Sequence, residues 1–342
     1  MAGMRTNRMM NKTKVVVLIA PEDAVPFREN ASPFQEAIEG NSGLRDRVEL
    51  RFARAEERIE AIKDAEVVVC GKLSPELIAS ASNLRWVSFW IAGLDKQVTP
   101  ELKARNVFIT NASGVHAPNI AEQIITYILM FTRRMPYYMR AQMAREWAHD
   151  QIISFEELTG KTIGIVGLGR VGEALAVRAG SFGLRVIAAK RDVSSRHDQS
   201  IILDALYRPE QLPEMLSKSD HVCITMPYTP ETHHLFDEGM LAHLKESAYL
   251  YNASRGKIIN EQALIAALKK GKLRGAGLDV FETEPLSTDS HLWEMENVII
   301  TPHVAGFTPH YFARTAALLA DNLERFIEGR PLKNLYDPQR GY

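Results

Sequence analysis

Cysteine is nearly absent. The 342 residues hold only two, Cys70 and Cys223, and both sit inside apolar runs that read as strands. Neither has metal-ligand spacing around it, so the pair reads as buried free thiols in a reducing compartment, with no metal. A charge excess is also missing: 41 Lys and Arg face 42 Asp and Glu, a formal net charge of -1. That balance argues against a nucleic-acid partner and against a solvating tail. Long hydrophobic runs are missing as well. The apolar stretch Val15–Ala20, behind a polar, Met-rich start from Met1 to Lys14, is too short for a signal-peptide core or a membrane span. These absences predict a cytoplasmic protein with no membrane partner. No repeat or low-complexity tract interrupts the chain.

What remains is an ordinary globular composition, 46% hydrophobic and 24% charged. At roughly 100–200 residues per domain, the length predicts two domains. The first third alternates short apolar runs with helical patterns. Strands are expected at Val15–Ala20, Val48–Ala53, Glu66–Cys70, Arg85–Phe89 and Val107–Thr110. Helical stretches between them fall at Pro33–Glu39, Glu56–Lys63, Pro75–Ala81 and Pro100–Ala104. Such alternation predicts an α/β fold, a parallel sheet with helices on both faces.

A long helix is expected over Asn119–Met135. Ile120, Ala121, Ile124, Ile125, Ile128 and Leu129 form its main stripe, widened by Tyr127, Met130 and Phe131. Apolarity nearly all round requires burial on more than one side. Packing within one subunit would account for it, and so would a subunit interface, which is the reading preferred here. A second α/β series follows, with six strands expected: Thr162–Val166, Arg185–Ala189, His221–Thr225, Ala248–Asn252, Gly275–Asp279 and Val298–Thr301. This series fits a doubly wound nucleotide-binding domain. A last helix, Pro309–Glu328, is expected to pack back on the first domain.

Gly167-Leu168-Gly169-Arg170-Val171-Gly172 is a G-x-G-x-x-G between an apolar strand and a helical stretch, Glu173–Ala179. That context marks a dinucleotide site. Gly167 allows the tight turn, Gly169 the approach of a pyrophosphate, and Gly172 close packing of helix on strand. The helix N-terminus offers free N–H groups to the phosphates. An acid that holds the ribose hydroxyls is expected about 20 residues on, at the end of the next strand. Lys190 and Arg191 stand there instead, with Asp192 two positions late. Paired cations suit a 2′-phosphate, so NADP(H) is expected over NAD(H).

Three residues follow strand ends, where open α/β sheets bind ligands. Arg255 lies in Asn252-Ala253-Ser254-Arg255-Gly256, Glu284 in Asp279–Leu286, and His303 in Thr301-Pro302-His303-Val304-Ala305-Gly306. Each alone is unremarkable; the combination carries the reading. Reducing a ketone needs hydride on carbon and a proton on oxygen. An imidazole can donate that proton near neutral pH. A carboxylate beside it favours the imidazolium, and a planar guanidinium can hold a carboxylate and polarise a keto oxygen.

With these motifs and the stretch Leu158–Gly169, the chain resembles the D-isomer-specific 2-hydroxyacid dehydrogenases, the group with glyoxylate/hydroxypyruvate reductases and phosphoglycerate dehydrogenases. The resemblance is strongest over Leu158–Gly306 and looser at Leu84-Arg85-Trp86-Val87 and Ala92-Gly93-Leu94-Asp95. It implies a Rossmann dinucleotide-binding domain (114–306) inserted into a flavodoxin-like substrate domain (1–113, completed by 307–342). It implies that Arg255 binds substrate, that Glu284 and His303 are the acid–base pair, and that the Ala92-Gly93 turn holds the substrate carboxylate. It places Asp279 near the nicotinamide and makes the Asn119–Met135 region a homodimer interface. Phe89 and Trp90 replace smaller residues common before that turn; Trp90 is expected at the substrate, and the two would either line a pocket for an apolar side chain or shrink it for glyoxylate. The implied activity is hydride transfer between NAD(P)H and C2 of a small 2-keto or D-2-hydroxy acid. The alternative is a cofactor-sensing binding protein of the corepressor type, which shares this fold.

Overall fold

The computed structural model describes residues 12–19, 31–94, 97–149, 155–193 and 201–338. Two compact units are present, Met1–Val115 with Thr308–Tyr342, and His116–Phe307. In chain order the first contains β1 (Thr13–Leu18), α1 (Ala31–Glu39), β2 (Val48–Ala53), α2 (Arg58–Ile62), β3 (Val67–Cys70), α3 (Pro75–Ser80), β4 (Trp86–Phe89), α4 (Pro100–Lys103) and β5 (Phe108–Thr110). The second contains α5 (Ala117–Thr132), α6 (Met135–Ala144), β6 (Thr162–Val166), α7 (Arg170–Ser181), β7 (Arg185–Ala189), β8 (Ala205–Tyr207), α8 (Leu212–Lys218), β9 (His221–Ile224), α9 (Glu238–Leu241), β10 (Tyr249–Asn252), α10 (Glu261–Lys269), β11 (Gly275–Leu278) and β12 (Val298–Ile300). The terminal helix α11 (Tyr311–Glu328) belongs to the first unit and packs on α1.

The first sheet has five parallel strands in the order β2-β1-β3-β4-β5, the doubly wound order of flavodoxin-like domains. Its central strands are covered on both faces, which is why Val15–Leu18 and Val67–Cys70 are continuously buried. The second sheet has seven parallel strands, β12-β11-β10-β9-β6-β7-β8. Counted from β6, this is the Rossmann order with one strand added beyond β11. The order reverses between β6 and β9, so a crevice opens beyond the carboxyl ends of these two strands.

Both cysteines are buried, Cys70 in β3 and Cys223 in β9, and burial pushes each thiol well above its usual range. The second sheet has one strand more than the six expected. The addition, β8, is three residues on the edge, too short to leave an apolar period. Asp204, just before it, accepts the Val186 N–H on its carboxylate at 2.7 Å and donates its own N–H to the Val186 carbonyl at 2.7 Å.

The expected helix Asn119–Met135 instead stops at Thr132, and Met135 begins α6. Arg134 is left-handed, with φ 56°, and Pro136 stands in the first turn of α6. A proline there has no N–H for the Thr132 carbonyl and its ring would clash with that carbonyl, so α5 cannot run on. Most of the apolar face of α5 is absorbed within its own subunit: Ala121, Ile124, Ile125, Tyr127, Ile128 and Phe131 are buried in one cluster with Leu175, Ala176 and Ala179 of α7 and with Tyr249 and Tyr251 of β10, while Ile120, Leu129 and Met130 stay partly exposed. Among the described residues, no helix is long and apolar enough to cross a membrane.

Candidate active site

All strands of the second sheet are parallel, so the segments following them emerge along one edge. The glycine loop follows β6, Lys190 and Arg191 follow β7, Arg255 follows β10, Asp279 and Glu284 follow β11, and His303 follows β12. Sequence-distant residues are gathered by topology alone.

The glycine loop has the shape a pyrophosphate requires. Gly167 is left-handed, with φ 105°, and an added Cβ would lie 2.6 Å from the Met226 nitrogen. At Gly172 a Cβ would meet the Gly167 carbonyl oxygen at 2.5 Å, so any side chain would push α7 off the loop. A Cβ on Gly169 would meet nothing within 4 Å. That open space adjoins the N-terminus of α7, whose first N–H groups have no intrahelical acceptor. Among the described residues, no side chain caps this helix. The loop, its free N–H groups and its open face fit a dinucleotide's phosphates. Lys190 is half-buried and donates its backbone N–H to the Tyr207 carbonyl at 3.0 Å, while Arg191 is exposed. Arg196, a further cation along the same loop in the sequence, lies outside the described residues.

His303 and Glu284 meet: Nδ1 of the imidazole is 2.8 Å from Oε2 of the carboxylate, with side chains 48% and 37% exposed. The other carboxylate oxygen, Oε1, accepts the Phe281 N–H at 3.1 Å. Glu284 is thus oriented by its own loop, and it directs Nε2 of the imidazole away from itself. His303 is left-handed, with φ 56°, a conformation that costs a non-glycine residue roughly 1–2 kcal/mol. Asp279 maintains it. The Asp279 carbonyl accepts the His303 N–H at 2.8 Å, and the carboxylate accepts the N–H groups of Val304 and Ala305 at 3.0 Å each. The Thr301 hydroxyl donates to Oδ1 at 2.5 Å and is itself bonded to the Tyr127 hydroxyl of α5. Asp279 is 1% exposed. Burial raises its carboxyl above the usual range, against the lowering effect of these donors and of His303. Both its oxygens are therefore occupied within the protein.

Arg255 is half-buried, and its loop is fixed by Asn252 at the end of β10. The Asn252 amide donates to the Arg255 carbonyl at 3.0 Å, and its oxygen accepts the Ser254 N–H at 3.1 Å. The Arg255 guanidinium donates to the Ser254 carbonyl at 2.8 Å. The sequence reading misses this role of Asn252; its position at a strand end, as a side chain with both donor and acceptor, is the available signal.

In the first unit, the turn after β4 is tied down by its carbonyls. Trp90, Ile91 and Ala92 accept from the Tyr311 hydroxyl, from the Ala112 N–H at 2.9 Å, and from the Asn111 amide at 2.9 Å, respectively. The N–H groups of Ile91, Ala92 and Gly93 meet no acceptor among the described residues. Phe89 and Trp90 are 1% and 5% exposed, buried in the sheet's hydrophobic layers. The indole of Trp90 lies over Gly71, where a Cβ would come within 2.6 Å of its Nε1, and meets Phe312 edge-on. Asp95 lies outside the described residues. Among the described residues, no cluster of His, Cys, Asp and Glu could hold a metal ion.

Residues 125–305 match the family model described as D-isomer specific 2-hydroxyacid dehydrogenase, NAD binding domain. A glyoxylate reductase of Thermofilum pendens is 36% identical over 280 residues, covering 80% of this chain and 82% of that one. A D-isomer specific 2-hydroxyacid dehydrogenase of Xanthobacter autotrophicus, solved with NADPH and MES, superposes with a TM-score of 0.80 at 29% identity, covering 96% of this chain and 99% of that one. An NADPH-dependent glyoxylate/hydroxypyruvate reductase of Sinorhizobium meliloti, solved with NADP and sulfate, gives a TM-score of 0.78 at 26% identity, covering 97% and 100%. The chain belongs to the D-isomer specific 2-hydroxyacid dehydrogenases. It is an NAD(P)-dependent oxidoreductase that moves a hydride between the nicotinamide and C2 of a 2-keto or 2-hydroxy acid. The binding-protein alternative finds no support among these relatives.

Proposed function

We propose that the chain reduces a short 2-keto acid of the glyoxylate or hydroxypyruvate kind, with NADPH preferred to NADH, and that Arg255, Glu284 and His303 are its working side chains. The observation that carries this is the 2.8 Å His303–Glu284 pair at the strand edge that also bears Arg255 and the glycine loop. The relatives' names point the same way. The nicotinamide supplies the hydride. The Gly167–Gly172 loop holds the pyrophosphate, with Lys190 and Arg191 toward the 2′-phosphate and Asp279 near the nicotinamide end.

Arg255 draws in the substrate through its carboxylate and polarises the keto oxygen. In the first unit, Ala92 and Gly93 offer N–H groups that suit a carboxylate, with no acceptor for them among the described residues. Trp90 fixes that turn from within the core. His303, protonated, gives its Nε2 proton to the oxygen as the carbinol forms, and Glu284 holds the ring by Nδ1. In the reverse direction neutral His303 takes that proton back.

The chain also acts as a homodimer through the Asn119–Met135 region, extended into α6. Support comes from Met135, Met139 and Met143, four residues apart on α6 and 42%, 49% and 85% exposed, followed by Trp147 at 91%. A second copy is the occupant that would cover this apolar stripe. The substrate reading is tested by following NADPH and NADH oxidation with glyoxylate, hydroxypyruvate, pyruvate and bulkier keto acids. Turnover with the first two is expected. Cofactor binding without turnover of any of them would overturn it. Light scattering tests assembly: a monomer at micromolar concentration rules the dimer out.

A further inference from the structure

Glu282 lies two residues before Glu284 and does not share its hydrogen bonds. Its Oε1 accepts the backbone N–H of Glu261 at 3.0 Å, and Glu261 returns the bond, its Oε2 accepting the Glu282 N–H at 3.3 Å. The two carboxylates thus staple the segment after β11 to the first residue of α10. Nε2 of His234 lies 2.8 Å from Glu282 Oε1. His234 is itself left-handed, with φ 48°, and donates its N–H to the Lys257 carbonyl at 2.9 Å. It therefore joins the same two segments from a third. Beneath the staple the backbones nearly touch: a Cβ on Gly256 would lie 1.9 Å from the Phe281 carbonyl carbon. Gly256 follows Arg255 directly, and Phe281 is the residue whose N–H orients Glu284.

We propose that Glu282, held by Glu261 and His234, is a positioning residue that sets where Glu284, and through it His303, stands relative to Arg255; this rests on the reading that those three carry the chemistry. The two ends of the staple are not equally free to move. The Arg255 loop has its own anchor in Asn252. The bond that holds the Glu284 carboxylate on its own side is local, donated by the Phe281 N–H three residues away. Releasing the staple therefore displaces the carboxylate and spares the guanidinium. The chemical step slows while substrate binding persists.

Steady-state kinetics with glyoxylate and NADPH test this on Glu282→Ala, Glu282→Gln, His234→Ala and the double variant Glu282→Ala/Glu284→Gln. Glu282→Ala should lower kcat about tenfold, roughly what 1.4 kcal/mol of lost alignment gives, with KM for the keto acid within about twofold. Glu282→Gln keeps an acceptor oxygen for the Glu261 N–H and should restore most of kcat. His234→Ala should fall between them. The double variant should lose less than the product of the two single losses, since both act on one carboxylate. A Glu282→Ala enzyme with a lowered Tm but unchanged kcat would overturn the proposal, as would equal loss in the Gln variant or independent losses in the double variant. If Glu282→Ala fails to fold, His234→Ala decides by the same kcat criterion. His303→Asn separates the two readings. Should it be fully active, the site assignment itself fails; should it be inactive while Glu282→Ala and His234→Ala keep full kcat, only the staple fails.

Discussion

His303 and Glu284 are nineteen residues apart in sequence, and Nδ1 of one stands 2.8 Å from Oε2 of the other. With Nδ1 engaged, Nε2 is the nitrogen left for a substrate oxygen. His303→Asn keeps a polar side chain but cannot move a proton. It should lower kcat at least ~100-fold, within the 10²–10⁴ range of general acid catalysis. Cofactor affinity, read by fluorescence titration, should be nearly unchanged. Full activity in this variant would end the assignment of His303 as the proton donor.

Asp279 offers a separate test, because its bonds hold the backbone on which His303 sits. Its carboxylate accepts from Thr301, Val304 and Ala305 and is almost fully buried. Asp279→Asn would turn an NH₂ toward at least one of these donors. Leaving a buried N–H unpaired costs about 1–3 kcal/mol. A lowered Tm and a lowered kcat are expected together, since the left-handed His303 relaxes when its neighbours are released. Unchanged values of both would mean that the loop holds its shape without Asp279.

The fold was legible where burial on both faces of a parallel sheet writes an unbroken apolar run, as at Val15–Leu18, Val67–Cys70 and Ile163–Val166. Arg255, Glu284 and His303 stood out because strand ends are visible as the ends of such runs. What stayed hidden depends on contacts between distant segments. Nothing local in Glu282 tells that it meets Glu261, and nothing in Asp279 tells that it receives three donors from beyond β12. The edge strand β8 is too short for a period to register. The bulk of Trp90 suggested a pocket wall; the space over Gly71, which buries it, appears only once β3 and β4 are side by side.

A buried histidine links stability to pH. His221 is 1% exposed in β9, its Nδ1 3.0 Å from the Tyr251 hydroxyl, and its Nε2 has no hydrogen-bond partner among the described residues. Burial first, then the Lys161 charge, bring its pKa down from 6.5 to about 4, against the opposing pull of Asp220. Folded protein keeps the ring neutral, whereas unfolded chain takes up a proton near 6.5. The stabilisation is therefore complete above that pH and is lost as pH falls toward 4. It amounts to roughly 3 kcal/mol. Thermal melts between pH 7 and 4.5 should show this slope. His221→Phe should flatten it, while starting from a lower Tm at pH 7 because the Tyr251 hydroxyl loses its partner. An unchanged slope in that variant would assign the acid sensitivity elsewhere.

Cofactor choice turns on the residues after β7. An acid there accepts hydrogen bonds from ribose hydroxyls and repels a 2′-phosphate. Lys190 occupies the place instead, its backbone fixed by the Tyr207 carbonyl of β8, with Arg191 exposed beside it. A charge-assisted hydrogen bond to phosphate contributes about 1.5–3 kcal/mol before discounting for solvent. One such contact, discounted to roughly 1.4 kcal/mol, already gives about a tenfold preference. Wild-type kcat/KM should thus favour NADPH over NADH, and Arg191→Ala should lower the NADPH value about tenfold while leaving NADH within about twofold. Asp192, two positions after Lys190, is the residue that could reverse this by taking the ribose hydroxyls. Its signature would be distinct: wild type would prefer NADH, and the preference would survive Arg191→Ala. Asp192→Ala would then weaken NADH alone. Side-by-side kcat/KM values for the three proteins with both cofactors decide between the cation pair and the late acid.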